Sequence, residues 1–345
     1  MAQVVERPLW EREVPGSSPG APIFFMVSKD FSPGVVNFLH SPSDIEGENT
    51  LDGVRTLTSR VVEVPGKFSS LFLSIQAQIP EDSYVLLEVQ VRVREKWSPF
   101  FKLGMLSAHL QTSFPPQQNA FGYVNTDELQ LAVPAHAYRY QVHLSGKATV
   151  AQVAACLVKD PFVYNEKFAC RLPRKSVCYP VENPISQMAQ KTPEKRRICS
   201  PTALCMALGR LGIKLPLPEV MAGVHDGFAD VYGNWLFNMA YAGTQPGITA
   251  YTHRFSSLEE LKEFLTPQAC VVATIAFEEN ELPGAPLAHT PGHLVVIEGW
   301  KNNQILVADP AAPTADTVRR SYGKTEFAAA WLKRKQGMSY IVRKK

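Results

Sequence analysis

The sequence predicts two structural halves, an all-β sandwich followed by a half in which helices and strands alternate. Three observations carry this. From 35 to about 162, short apolar segments alternate with turn residues and no helical period interrupts them. Beyond about 165, apolar residues recur at helical spacing with strand-like runs between them. The chain of 345 residues, 45% apolar and 19% charged, is also longer than one ordinary core organises. Each half is therefore expected to fold around its own core.

In the first half, strands are expected at 69–76, 84–93, 102–106, 129–133, 138–144 and 150–158. The second is the clearest. Val85, Leu87, Val89, Val91 and Val93 alternate with Leu86, Glu88, Gln90, Arg92 and Arg94, the period of two that a half-buried strand requires. Residues 1–22, charged and proline-bearing, read as a flexible segment before a sandwich at 23–165. A linker at 166–183 contains Arg171-Leu172-Pro173-Arg174-Lys175, and the second domain follows at 184–345.

In that second domain, helices are expected at 199–212, 218–224, 234–242, 257–265 and 325–334. Leu204, Leu208 and Leu211 give the first an apolar face, Pro201 fits its first turn, and Gly212 ends it. Ser257 and Glu260 have capping-box spacing. Strands are expected at 248–255, 270–277, 294–300, 304–308 and 338–342. Lys301-Asn302-Asn303 reads as a hairpin turn because asparagine tolerates positive φ. That hairpin returns Asp309 to the neighbourhood of His293.

Composition excludes several function classes. A net charge of +3 with no basic run among aromatics gives no support to nucleic-acid or membrane-surface binding. No apolar run approaches the roughly 20 residues of a membrane-spanning helix. The N-terminus lacks the apolar centre of a secretion signal. The cysteines at 156, 170, 178, 199, 205 and 270 show neither a paired framework nor Cys-x-x-Cys spacing. Free thiols in the cytoplasm are the expectation. His289 and His293 have a zinc-like spacing, but Pro291 and Gly292 between them bar a helix, so no metal or cofactor is expected.

Cys199 opens the amphipathic helix at 199–212, where unpaired N–H groups and the helix dipole favour a thiolate. His293 follows Gly292 and opens an apolar strand, which suits a base that takes a thiol proton and later protonates a leaving amine. Asp309 before Pro310 suits the group that holds the imidazole's tautomer. Each has a plainer reading. Cys199 alone could be a small packing side chain, His293 a core histidine bonded to a carbonyl, and Asp309 a turn aspartate.

Four motifs in order change that balance: Pro184-Ile185-Ser186-Gln187, Cys199-Ser200-Pro201-Thr202, Gly292-His293 and Asp309-Pro310. With Tyr232-Gly233-Asn234-Trp235, they make the second half resemble the C39-like cysteine peptidase family, a branch of the papain-like fold. The resemblance implies an α+β papain-like domain with Cys199 as nucleophile, His293 as general base and acid, Asp309 as orienting carboxylate and Gln187 as oxyanion donor. Peptide or amide bonds would be hydrolysed through an acyl-enzyme. The first half resembles the jelly-roll-like β-sandwich of a bacterial subgroup through Trp97-Ser98-Pro99-Phe100, Lys102-Leu103-Gly104 and Val124-Asn125-Thr126-Asp127. This implies a peptide or protein substrate, and a carbohydrate or protein ligand for the sandwich. Ser200 stands where the family has glycine, and serine would strain a position of positive φ. A catalytically silent peptide-binding relative, or an acyltransferase with the same triad, is the alternative.

Overall fold

The structure, a computed structural model, describes residues 35–345 and the two-residue strand Ile23–Phe24. The expected flexible segment 1–22 lies outside the described residues. The first half is built of antiparallel strands, with Val35–His40, Thr149–Asp160, Val62–Gln78, Glu128–Ser145, Tyr84–Val93 and Phe101–Ser107 adjacent in that order. Val85, Leu87, Val89 and Val91 are fully buried, as the alternation requires. The segments expected at 129–133 and 138–144 are one strand, Glu128–Ser145. Its register shifts between Gln130 and Ala137, around Pro134. Proline cannot donate to a ladder and is accommodated at such irregularities, so one kinked strand reads in sequence as two.

The second half holds a seven-stranded sheet whose path runs Ile248–Arg254, Met338–Lys344, Ala269–Phe277, Thr290–Lys301, Gln304–Ala308, Arg319–Gly323. Helices Cys199–Arg210, Leu217–Val224 and Trp235–Thr244 cover one face through a core containing Leu204, Leu208, Val220 and Met239. Asn302 and Asn303 take φ of 52° and 63°, and Lys301 pairs with Gln304 across the tight turn. The segment expected as a helix at 257–265 is a 3-10 turn, Leu258–Glu260, running into the short helix Leu261–Phe264, with the Ser257/Glu260 capping box formed. No helix among the described residues is long and apolar enough to cross a membrane.

The two cores are joined. Leu236, Phe237 and Ala240 of the Trp235–Thr244 helix belong to the apolar core of the first half. Gly104 is needed for that approach, since a Cβ there would lie 2.7 Å from Leu236 Cδ2 and 2.9 Å from Phe237 Cε1. The outer edge of strand Ile248–Arg254 is met by side chains of the first half. Gln76 Nε2 donates to Ala250 O at 3.1 Å, and Ser74 Oγ accepts from Thr252 N at 3.1 Å. Cys156 donates to Thr252 O, while Asn37 both donates to Arg254 O and accepts from Arg254 N at 3.0 Å. These side chains act as a partner strand would, satisfying edge groups that could not otherwise be buried.

Candidate active site

Cys199 is the first residue of its helix, and the preceding Ile198 offers no side-chain cap. The first-turn N–H groups are thus left for other acceptors. The Cys199 thiol lies near enough to His293 and to the backbone N–H groups of Leu294 and Ser200 for each to favour its charged form. Burial works to raise its pKa, but the imidazolium and these donors outweigh burial and bring it below the ordinary thiol value. The other five thiols all move up, Cys156 and Cys205 to about 11, chiefly because burial penalises their charged form. Cys199 is therefore the one thiol of the six whose pKa is lowered.

His293 lies on strand Thr290–Lys301, opposite Ile275, and is 3% exposed. Its Nε2 donates to Asp309 Oδ1 at 2.7 Å, which leaves Nδ1 for Cys199. Burial favours neutral imidazole, yet the Asp309 and Cys199 charges prevail and push His293 up to about 10. Both shifts favour the same charged pair, a thiolate beside an imidazolium. His289 is exposed just before the strand begins.

Asp309 follows strand Gln304–Ala308, where the hairpin returns it to His293. It also accepts from Ala311 N at 2.9 Å and from Tyr322 Oη at 2.7 Å. Burial would raise its pKa, but His293 and these donors hold it below the usual carboxylate range. Tyr322, fully buried, has no sequence signature, because nothing in its local pattern relates it to a residue thirteen positions earlier. Tyr322→Phe is expected to cost about 1–3 kcal/mol of stability, the range for a buried partner left unpaired. A lost donor to the charged form raises the Asp309 pKa. Stability from the ionised Asp309 is present above its unfolded value and lost as pH falls through the folded one, so this acid loss should move to higher pH in the variant. Urea unfolding from pH 3 to 7 measures both effects.

Gln187 is 4% exposed. Its backbone N–H donates to Pro310 O at 2.8 Å, and its Nε2 donates to Lys195 O at 2.8 Å. The glutamine therefore links the Asp309 turn to the segment leading into Cys199. Ser200 is helical and is not among the residues of positive φ, so the strain expected of serine there does not arise. Its Oγ donates to Asn238 Oδ1 at 2.7 Å and lies 2.8 Å from Tyr340 Oη. Asn238 in turn donates to Tyr232 O and Asn234 O, tying the Cys199 helix to the 232–235 segment. The first half grips that segment from the other side, since Asp127 accepts from the N–H groups of Trp235 and Leu236.

Comparison with known proteins adds two matches of complementary extent. Residues 182–339 match the Peptidase_C39 like family, and residues 44–157 match the Peptidase C39 N-terminal domain. Among solved structures, a candidate C39-like peptidase from Bacillus anthracis is 16% identical, with half of this chain and 98% of that one covered at a TM-score of 0.37. A double glycine motif protease from an AMS/PCAT transporter, solved with the leader peptide, is 18% identical, with 50% and 100% covered at 0.33. A comparison with curated proteins gives no match.

Proposed function

From a chain whose residues 182–339 match the Peptidase_C39 like family and whose residues 44–157 match the Peptidase C39 N-terminal domain, we propose a cysteine peptidase acting on peptide or amide bonds through an acyl-enzyme on Cys199. The observation that carries this reading is the 2.7 Å hydrogen bond from His293 to Asp309, with Cys199 close enough to the same imidazole for it to lower the thiol's pKa. The Cys199 thiolate attacks the scissile carbonyl carbon, and the electron pair moves onto oxygen. As the tetrahedral centre collapses, imidazolium His293 gives its proton to the leaving amine. Neutral His293 then takes a proton from water, which attacks the thioester and releases the acid and the Cys199 thiolate. Asp309 holds the imidazole's tautomer throughout. Gln187, with one amide N–H on Lys195 O, would turn the other to the oxyanion.

The same reading divides the chain into a jelly-roll-like sandwich at 23–165, a connection at 166–183 and a papain-like α+β domain at 184–345. Six free cysteines support a reducing compartment, for which the cytoplasm is the proposal. Limiting iodoacetamide at pH 7 tests the reading, with digestion and mass spectrometry locating the label. Cys199 should be modified at least tenfold faster than the other five thiols, because thiolate fraction controls the rate. Uniform labelling, or Cys178 reacting first, would leave a catalytically silent relative as the better description.

A further inference from the structure

A cleft of about 720 Å³ opens between the two halves, with Asp127 and Glu128 on the wall from the first half and Trp235, Arg254 and Lys335 on the other. Two of its lining residues connect to segments that carry the proposed machinery. The Trp235 ring packs edge-on against Tyr340 at 4.9 Å, and Tyr340 Oη lies 2.8 Å from Ser200 Oγ, next to Cys199. On the other side, Lys335 Nζ donates to Pro291 O at 3.3 Å, two residues before His293.

The charge in this cleft is poorly compensated. Arg254 is 2% exposed, and a buried guanidinium ordinarily has close carboxylate or carbonyl partners. Here its Nε has no hydrogen-bond partner among the described residues. Its Nη1 reaches Lys335 O, Gln336 O and Gln336 Oε1 at 3.4 Å each, and its nearest carboxylate, Glu128, is 3.7 Å away. Lys335 is close enough for Arg254 to disfavour its charge, which burial already does and Glu128 only partly offsets. Arg334 is committed elsewhere, 2.6 Å from Glu281. Two cations thus face one cleft: Arg254 lies over the Phe72 ring at 5.2 Å with Glu128 3.7 Å away, while Asp127 on the same wall is turned to the N–H groups of Trp235 and Leu236.

We infer that this cleft binds a carboxylate of the peptide substrate through Arg254 and Lys335 and so helps to set specificity at the site proposed above. The inference rests on that peptidase reading for the position of the scissile bond. An acidic side chain and a C-terminal carboxylate present the same group to these cations, and charge-assisted bonds of this kind favour it strongly over a neutral amide.

The test uses matched peptidyl acyloxymethyl ketones carrying Glu or Gln at each of the four positions before the ketone, with Cys199 labelling rates read by mass spectrometry. Free-acid and amidated peptides, used as protectants, form the second arm. At one position the Glu probe should label about tenfold faster than its Gln partner. If the carboxylate is terminal, the free-acid peptide should instead protect about tenfold better than its amide. Lys335→Gln should bring the favoured ratio to near one, and Lys335→Glu should reverse it. Equal rates in every pair with equal protection would overturn the inference, as would a preference that survives Lys335→Glu. Labelling of Cys199 without discrimination thus condemns the cleft and spares the nucleophile. If no probe labels Cys199, the peptidase reading fails, and the Glu and Gln peptides are titrated against intrinsic fluorescence. Tighter Glu binding that Lys335→Glu abolishes still supports the cleft, and equal binding overturns it.

Discussion

Replacement of His293 by alanine is expected to lower turnover by at least about 10⁴-fold and to slow alkylation of Cys199 at pH 7 by about 10²-fold. Two opposed effects set the Cys199 pKa in the native protein, burial raising it and the adjacent imidazolium with two backbone N–H groups lowering it. Without the imidazole, burial is opposed only by the N–H groups of Leu294 and Ser200, and the thiol becomes the majority form at neutral pH. The wild-type rate of alkylation should therefore persist to pH values below the ordinary thiol range, while in His293→Ala the rise should move to higher pH. Turnover in the wild type should also fall on the alkaline side near pH 10, where His293 loses the proton that the leaving amine needs. The fold should survive the change, because Asp309 keeps Tyr322 and Ala311 as donors. Unchanged alkylation with lost turnover would confine His293 to the later proton transfers. Unchanged turnover would remove it from the site.

The elements that a sequence shows are those whose pattern is local. Strand Tyr84–Val93 and strand Gln304–Ala308 end where the alternation and the turn residues say they end, since period and punctuation suffice for both. The pairing of His293 with Asp309 was legible for a related reason: a two-asparagine hairpin brings together residues only sixteen apart. Tyr322, Asn238 and Tyr340 were not legible, because each reaches the site from a different element and carries an ordinary core pattern in its own neighbourhood. Asp127 shows the limit most clearly. It lies in the Val124-Asn125-Thr126-Asp127 stretch singled out as a motif, yet its partners are Trp235 and Leu236, over a hundred residues away. Binary patterning reveals that a helix has an apolar face and does not say which half of the protein that face enters.

That limit decides the second large effect, the behaviour of residues 182–345 expressed alone. Periodicity led to the expectation of separately folding halves, whereas the packing predicts that this fragment will be insoluble or will collect as a loosely packed, dye-binding state. Leu236 and Phe237 are fully buried against first-half residues, and exposing each forfeits about 1.5–3 kcal/mol of apolar burial. The fragment also loses the side chains of Asn37, Ser74, Gln76 and Cys156 from the outer edge of strand Ile248–Arg254. Its unpaired N–H and C=O groups, flanked by apolar residues, then form a template for pairing with other copies. With Asp127 absent, two N–H groups at the start of the Trp235–Thr244 helix lose their acceptor as well, and that helix holds Ser200 beside Cys199 through Asn238. Activity and stability should therefore fail together, on small substrates as well as large ones. Size exclusion, near-ultraviolet circular dichroism and the Cys199 alkylation rate, compared with the full chain, measure this. A monomeric fragment that unfolds cooperatively and is alkylated at the full-length rate would show that the joined core is dispensable. Loss of cooperativity with Cys199 no faster than the other thiols would show that the first half is part of the structure that builds the site.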